Sequence, residues 1–143
     1  SISPDELEKL GYGRNALFIV EIEDEDYSKP AKEVFSVKVN EIAAEKLSQV
    51  QGTNTFGSAF YRHMMADILF QVSQKVFSSG IDPNWSENSV GKTLMRFIEK
   101  NANVPSEKLP QYANNEIDRL QAILQSSLEM ASVVQRATLT GKN

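Results

Sequence analysis

The side chains best suited to chemistry in this chain are few and scattered. His63 is the one histidine, and Asp67 follows four residues later, so on a helix a carboxylate would lie beside the imidazole and could orient it. General acid or base work also needs a nucleophile or substrate group within hydrogen-bond reach, and nothing adjoining the pair in sequence supplies one. A helix-surface or satisfied-core histidine is therefore the expectation. The chain has no cysteine, which excludes thiol nucleophiles, disulfides and zinc-thiolate sites, and a single histidine excludes histidine clusters. Glu21, Glu23, Asp24, Glu25 and Asp26 form the densest acidic run. Glu21 and Glu23 would share a strand face, a beginning for a hard-cation site, but the ligand spacing and glycine of a calcium loop are missing. A metal-dependent nuclease places acids on neighbouring strands with a lysine. Lys38 could be that lysine, yet Ser36 stands two residues before it, where the pattern wants an acid. Acids that solvate a hairpin end and discourage edge-to-edge sheet growth account for the run more simply.

Gly91-Lys92-Thr93 has the ending of a phosphate-binding loop. That motif needs another glycine five residues earlier, where Ser86 stands, and a strand leading in. Both are absent, so a chance match inside an amphipathic helix is expected. Lys92, Arg96 and Lys100 recur every four residues as one basic ridge, extended by Lys108 and interrupted by Glu99. It is the weak candidate for contact with nucleic-acid phosphates. Asn84-Trp85-Ser86 matches a glycosylation acceptor, which matters only in a secreted eukaryotic chain. No constellation calls for a cofactor or metal, and none is expected.

The elements that would carry these residues are clearer than the residues' roles. From Phe56 to Ser79, apolar positions cover most sides of a helix: Phe56, Ala59, Phe60 and Met64 in its first half, Ile68, Leu69, Phe70, Val72, Val76 and Phe77 in its second. Asp67, Gln71, Gln74 and Lys75 leave only a narrow polar seam, which predicts a buried central helix over about 56–79, bracketed by Gly52 and Gly80. Before it, Ser3-Pro4-Asp5-Glu6 signals a short helix that Gly11 ends. Residues 16–22 and 34–39 alternate as strands. An antiparallel hairpin with Val20 beside Val37 and Ile22 beside Phe35 gives one apolar face and sets Lys38 near Glu21. Two strands alone are marginal in water, so the hairpin must lie on helices or gain a strand from another chain.

Asn40 caps a helix reaching about Gln51 with Ile42, Ala43, Leu47 and Val50 on one side, closed by Gly52. Thr53 to Thr55 then turns the chain. Ser86 is read as the cap of the next helix, with Trp85 and Val90 at hydrophobic-staple spacing and with Val90, Leu94, Met95, Phe97 and Ile98 inward. Trp85 is then a packing anchor. Residues 111–137 are expected to form one long amphipathic helix. Its seam, Ile117, Leu120, Leu124, Ser127, Ala131 and Val134, recurs at alternating steps of three and four and suits close helix approach, within the chain or across a homodimer. Residues 140–143 read as a tail.

The 143 residues fit a single α+β domain: a short helix, a β-hairpin, then four helices. A net charge of −4 sets the chain apart from proteins that bind nucleic acid through bulk positive charge. Ala16 to Val20 is the longest apolar run, too short to cross a bilayer, and nothing at the N-terminus has a signal peptide's pattern, so a cytoplasmic protein without membrane contact is expected. With no assembled catalytic set, the leading expectation is a non-enzymatic protein–protein interaction or assembly module that self-associates through its C-terminal helix or hairpin edge. A nucleic-acid-associated accessory protein using the basic ridge comes next. A metal-dependent hydrolase or nuclease using Glu21, Glu23 and His63 comes last.

Overall fold

The computed structural model describes residues 1–50 and 55–130. Its class is the α+β expected from the sequence. The first helix, α1 (Pro4–Lys9), begins at Ser3, whose Oγ accepts from the Glu6 amide at 3.2 Å. Gly11, at φ +86, turns the chain out of it, a conformation that costs other residues strain. Strands β1 (Phe18–Ile22) and β2 (Phe35–Val39) pair antiparallel in the expected register, Val20 against Val37 and Ile22 against Phe35. Lys38 Nζ lies 3.3 Å from Glu21 Oε1 on the polar face.

Between them comes one helical turn, α2 (Ala31–Val34), that the alternating pattern hides. Four residues are too few for a period to register. This turn buries Val34 completely in the main core instead of starting the strand with it.

The hairpin is pinned at one end by the N-terminal residues. Ile2 donates its amide to Val39 O at 2.9 Å and accepts from the Glu41 amide at 2.8 Å, forming a parallel bridge. Its side chain packs with Leu7 and Ile19 in a small second core. Asn40 is buried and fully used: Nδ2 donates to Arg14 O and Ala16 O, each at 3.0 Å, while Oδ1 accepts from the Ile42 amide as a helix cap does. The helix it starts, α3 (Glu41–Val50), has no fully buried side chain among its described residues, and Ile42 is 72% exposed. Gly52 and the turn at 53–54 lie outside the described residues.

The central helix, α4 (Thr55–Ser78), is as long as expected. Val72, Ser73, Val76 and Phe77 are completely buried. In the first half Met64 is buried as expected but Phe60 is 40% exposed, on the flank that faces β1, where no described element covers it. Ser73 is the one buried side-chain polar atom lacking a hydrogen-bond partner among the described residues. Replacing Ser73 with Ala removes that unsatisfied hydroxyl and adds a better helix former, so urea denaturation should give a gain of about 0.5–1 kcal/mol.

After Gly80 the chain differs from expectation at two helix boundaries. The next helix, α5 (Val90–Ala102), is capped by Ser89 and not Ser86: Ser89 Oγ accepts from the Lys92 amide at 3.1 Å and donates to Ser86 O at 2.7 Å. Trp85 is consequently no staple. It lies against Gly91 and is only 8% exposed, which retains its role as a packing anchor. Val90, Leu94 and Ile98 are buried as expected, while Met95 and Phe97 are half-buried.

The stretch 111–137, expected as one helix, instead follows a short 3-10 turn and divides into α6 (Leu109–Asn115) and α7 (Ile117–Ser127). Glu116, at φ −139 and ψ 61, makes the break, directly after two asparagines, which are weak helix formers. Asn114 is drawn away by bonds from its Nδ2 to Ser78 O and Pro110 O. Glu129, at φ 55, turns the chain after α7. In the expected seam, Leu120, Leu124 and Ser127 are buried within the chain, whereas Ile117 is 46% exposed; Ala131 and Val134 lie outside the described residues. Helix α7 packs on both α4 and α5 and closes the main core.

Candidate functional site

In an antiparallel ladder the inward and outward backbone groups alternate. Asn40 donates to Leu17 O at 2.8 Å and Glu23 donates to Val34 O at 2.7 Å, which fixes the phase. Residues 17, 19, 21 and 23 therefore face β2 with their N–H and C=O groups. Phe18, Val20 and Ile22 direct theirs outward, where no described residue meets them. The two edges of the sheet differ. On β2, Val39 is engaged by Ile2, and α3 stands alongside Val37 and Val39. On β1 no described residue covers the edge, and it lacks the proline, lysine or bulge by which edges are commonly guarded.

Beside this open edge a trough runs along one flank of α4. One stretch, of about 290 Å³, lies between Leu17 and Phe18 on the strand side and Phe60, His63, Asp67 and Gln71 on the helix. The next, of about 410 Å³, lies between Val20 and Ile22 and Phe70, Gln71, Gln74 and Lys75, with Ile117 at its end. Gln71 borders both, so β1 and this face of α4 run side by side in the same direction. The helix residues recur at steps of three and four, as one helix face must. Asp67 is half-buried and Lys75 exposed, and neither has an ion pair or side-chain hydrogen bond among the described residues. The opposite flank of α4, with Met64, Met65, Ile68 and Leu69 against Val37 and Leu47, forms a second apolar groove of about 390 Å³.

The residues with chemical potential do not converge. His63 is exposed, and among the described residues no hydrogen bond or ion pair joins it to Asp67. Among the described residues no group of three His, Cys, Asp or Glu side chains could hold a metal ion. Glu21 is paired with Lys38, and Glu23 accepts from Ser36 Oγ at 2.8 Å. The Lys29 ammonium, 2.6 Å from Asp24 Oδ2, holds that carboxyl below its ordinary range, with help from the Asp26 amide. Asp26 is held low by the Ser28 hydroxyl and amide. These acids stitch their own loop together.

Nor can the Gly91-Lys92-Thr93 stretch cradle a phosphate. Lys29 O takes the Val90 amide at 2.9 Å, Tyr27 O takes the Gly91 amide at 3.1 Å, and Ser89 Oγ takes that of Lys92. Along the basic ridge, the Arg96 guanidinium forms a two-pronged pair with the Glu87 carboxylate, one contact at 2.7 Å, so its central charge is met from within the chain. Lys92 is half-buried and Lys100 exposed.

The sequence pattern reads Asp67, Gln71, Gln74 and Lys75 as the solvent seam of a buried helix and misses that β1 stands over it. The exposure of Phe60 marks this flank, and only the structure shows it. Among the described residues no helix is long and apolar enough to cross a membrane. Comparison with protein-family models, curated proteins and solved structures finds no match.

Proposed function

We propose that this chain is a non-enzymatic protein–protein interaction and assembly module that works through the open edge of β1 and the α4 flank below it. The observation that carries the reading is the row of outward backbone groups on Phe18, Val20 and Ile22 beside a trough whose strand wall is apolar and whose helix wall is largely polar. Strand addition is the association such an edge performs: main-chain hydrogen bonds supply affinity, and the trough selects alternate side chains. A two-stranded sheet also has reason to accept another strand, because so small a sheet is only marginally stable. Of the two contact surfaces read from the sequence, the C-terminal seam has Leu120, Leu124 and Ser127 engaged in the chain's own core, whereas the outward backbone groups of β1 have no partner among the described residues, which supports the hairpin edge.

Val20→Pro tests this. The Val20 amide takes no part in pairing with β2, so proline removes an outward donor and adds bulk to the edge while leaving the hairpin ladder intact. Sedimentation velocity should show loss of self-association, or of partner binding in a pull-down, with an unchanged circular dichroism spectrum. Association that survives Val20→Pro in the folded protein counts against the edge.

A further inference from the structure

Resting on that reading, we propose that the occupant of the β1 edge is the same edge of a second copy, paired antiparallel about a two-fold axis at Val20. The register follows from the backbone phase. Setting Val20 opposite Val20 of the other copy, and Phe18 opposite its Ile22, matches every outward-facing residue of one β1 with one of the other, for about six hydrogen bonds. On the apolar face this places phenylalanine beside isoleucine at both ends and valine beside valine in the middle. On the other face Glu21 falls opposite Ile19, so no two acids oppose each other. A two-residue slip that sets Glu21 on Glu21 brings like charges together and is disfavoured.

The same axis acts on α4, and charge identifies the occupant. Because α4 runs alongside β1 with Gln71 level with its centre, reversing β1 about Val20 reverses α4 about Gln71. Asp67 lies four residues before Gln71 and Lys75 four residues after it. Neither has a charged partner among the described residues of its own chain. Across the axis, Asp67 of each copy comes level with Lys75 of the other, and the arrangement makes two reciprocal ion pairs. An isologous interface must be self-complementary in this manner, with position i meeting j and j meeting i. Opposite charges at equal distances on either side of a central residue satisfy that condition. The product is one four-stranded sheet, in the order β2-β1-β1-β2, shared by two chains.

The test uses the full chain and its lack of cysteine. Asp67→Lys and Lys75→Asp alone should each weaken the dimer on the order of tenfold, since each sets like charges together twice. The double variant should return close to wild-type affinity, because the exchanged charges again meet across the axis. Gln71→Cys should be joined efficiently by a short bis-maleimide, and Lys100→Cys should not. A monomer at every concentration overturns the two-fold pairing. So does a dimer in which the double variant is weaker than either single one and Gln71→Cys fails to cross-link. In that case, sensitivity to Val20→Pro would retain the edge as an interaction surface, and insensitivity would remove both. Both charged positions are at least partly exposed, so at dilutions where every variant is monomeric the charge variants should melt as wild type does, and at dimer-forming concentrations the two single variants should melt lower.

Discussion

Leu124→Asp should unfold this protein. Leu124 is completely buried in α7, in the same cluster as Val72, Val76, Leu94 and Leu120. Aspartate there forfeits the burial of a leucine side chain, about 1.5–3 kcal/mol, and leaves a carboxylate without a cation or a donor. The sum exceeds about 4 kcal/mol, the range reached by unpaired buried charges, and a domain of this size has only about 5–15 kcal/mol in total. Circular dichroism in urea should show a collapsed midpoint or no native baseline. The same substitution discriminates between two roles for the seam. If Leu124 lay between two copies, the variant would be a folded monomer with a near-normal midpoint, and that result would contradict its placement in the core.

The second large effect concerns Trp85 and Gly91. A Cβ on Gly91 would lie 2.5–2.6 Å from three carbons of the Trp85 ring, closer than packed atoms approach. Gly91→Ala gains about 1 kcal/mol in helix propensity, yet the ring must shift from a nearly buried site, and a net loss of about 1–3 kcal/mol is expected. Trp85→Ala empties the site and should remove about 3–5 kcal/mol. The informative variant is the double one. With the indole gone, the methyl of Ala at position 91 fills part of the space, so the combined loss should be smaller than the sum of the single losses. Guanidinium denaturation followed by circular dichroism measures all three variants on one scale. Strict additivity would mean that the ring does not rest on Gly91.

Some of this architecture is legible in the sequence and some is not. The hairpin is legible down to its register because each strand alternates cleanly and pairing Val20 with Val37 sets Ile22 beside Phe35 on one face and Lys38 near Glu21 on the other. The cap at Ser3 was legible because serine, proline and two acids coincide there. Ser86 and Ser89 are both sound caps three residues apart, and the choice between them depends on the loop carbonyls of Tyr27 and Lys29, which reach α5 from some sixty residues away. Nothing local encodes that. The break at Glu116 was hidden for a different reason. Leu109, Ala113, Ile117, Leu120 and Leu124 keep steps of three and four straight through it, so the apolar pattern is continuous while the backbone is not. The candidate site was half legible. Its residues on α4 read as a polar seam and the hairpin edge reads as a contact, but their juxtaposition depends on how the sheet is laid across the helix.

The order in which the core is assembled bears on synthesis. Val72, Val76 and Phe77 are covered by α5, α6 and α7, all of which are translated later. At about 5–20 residues per second, α4 leaves the ribosome several seconds before Leu124 can close over it. During that interval the nascent chain presents a greasy helix with no lid, beside a strand whose edge is bare. Chaperone engagement would therefore be concentrated in the middle of translation and end once α7 has emerged.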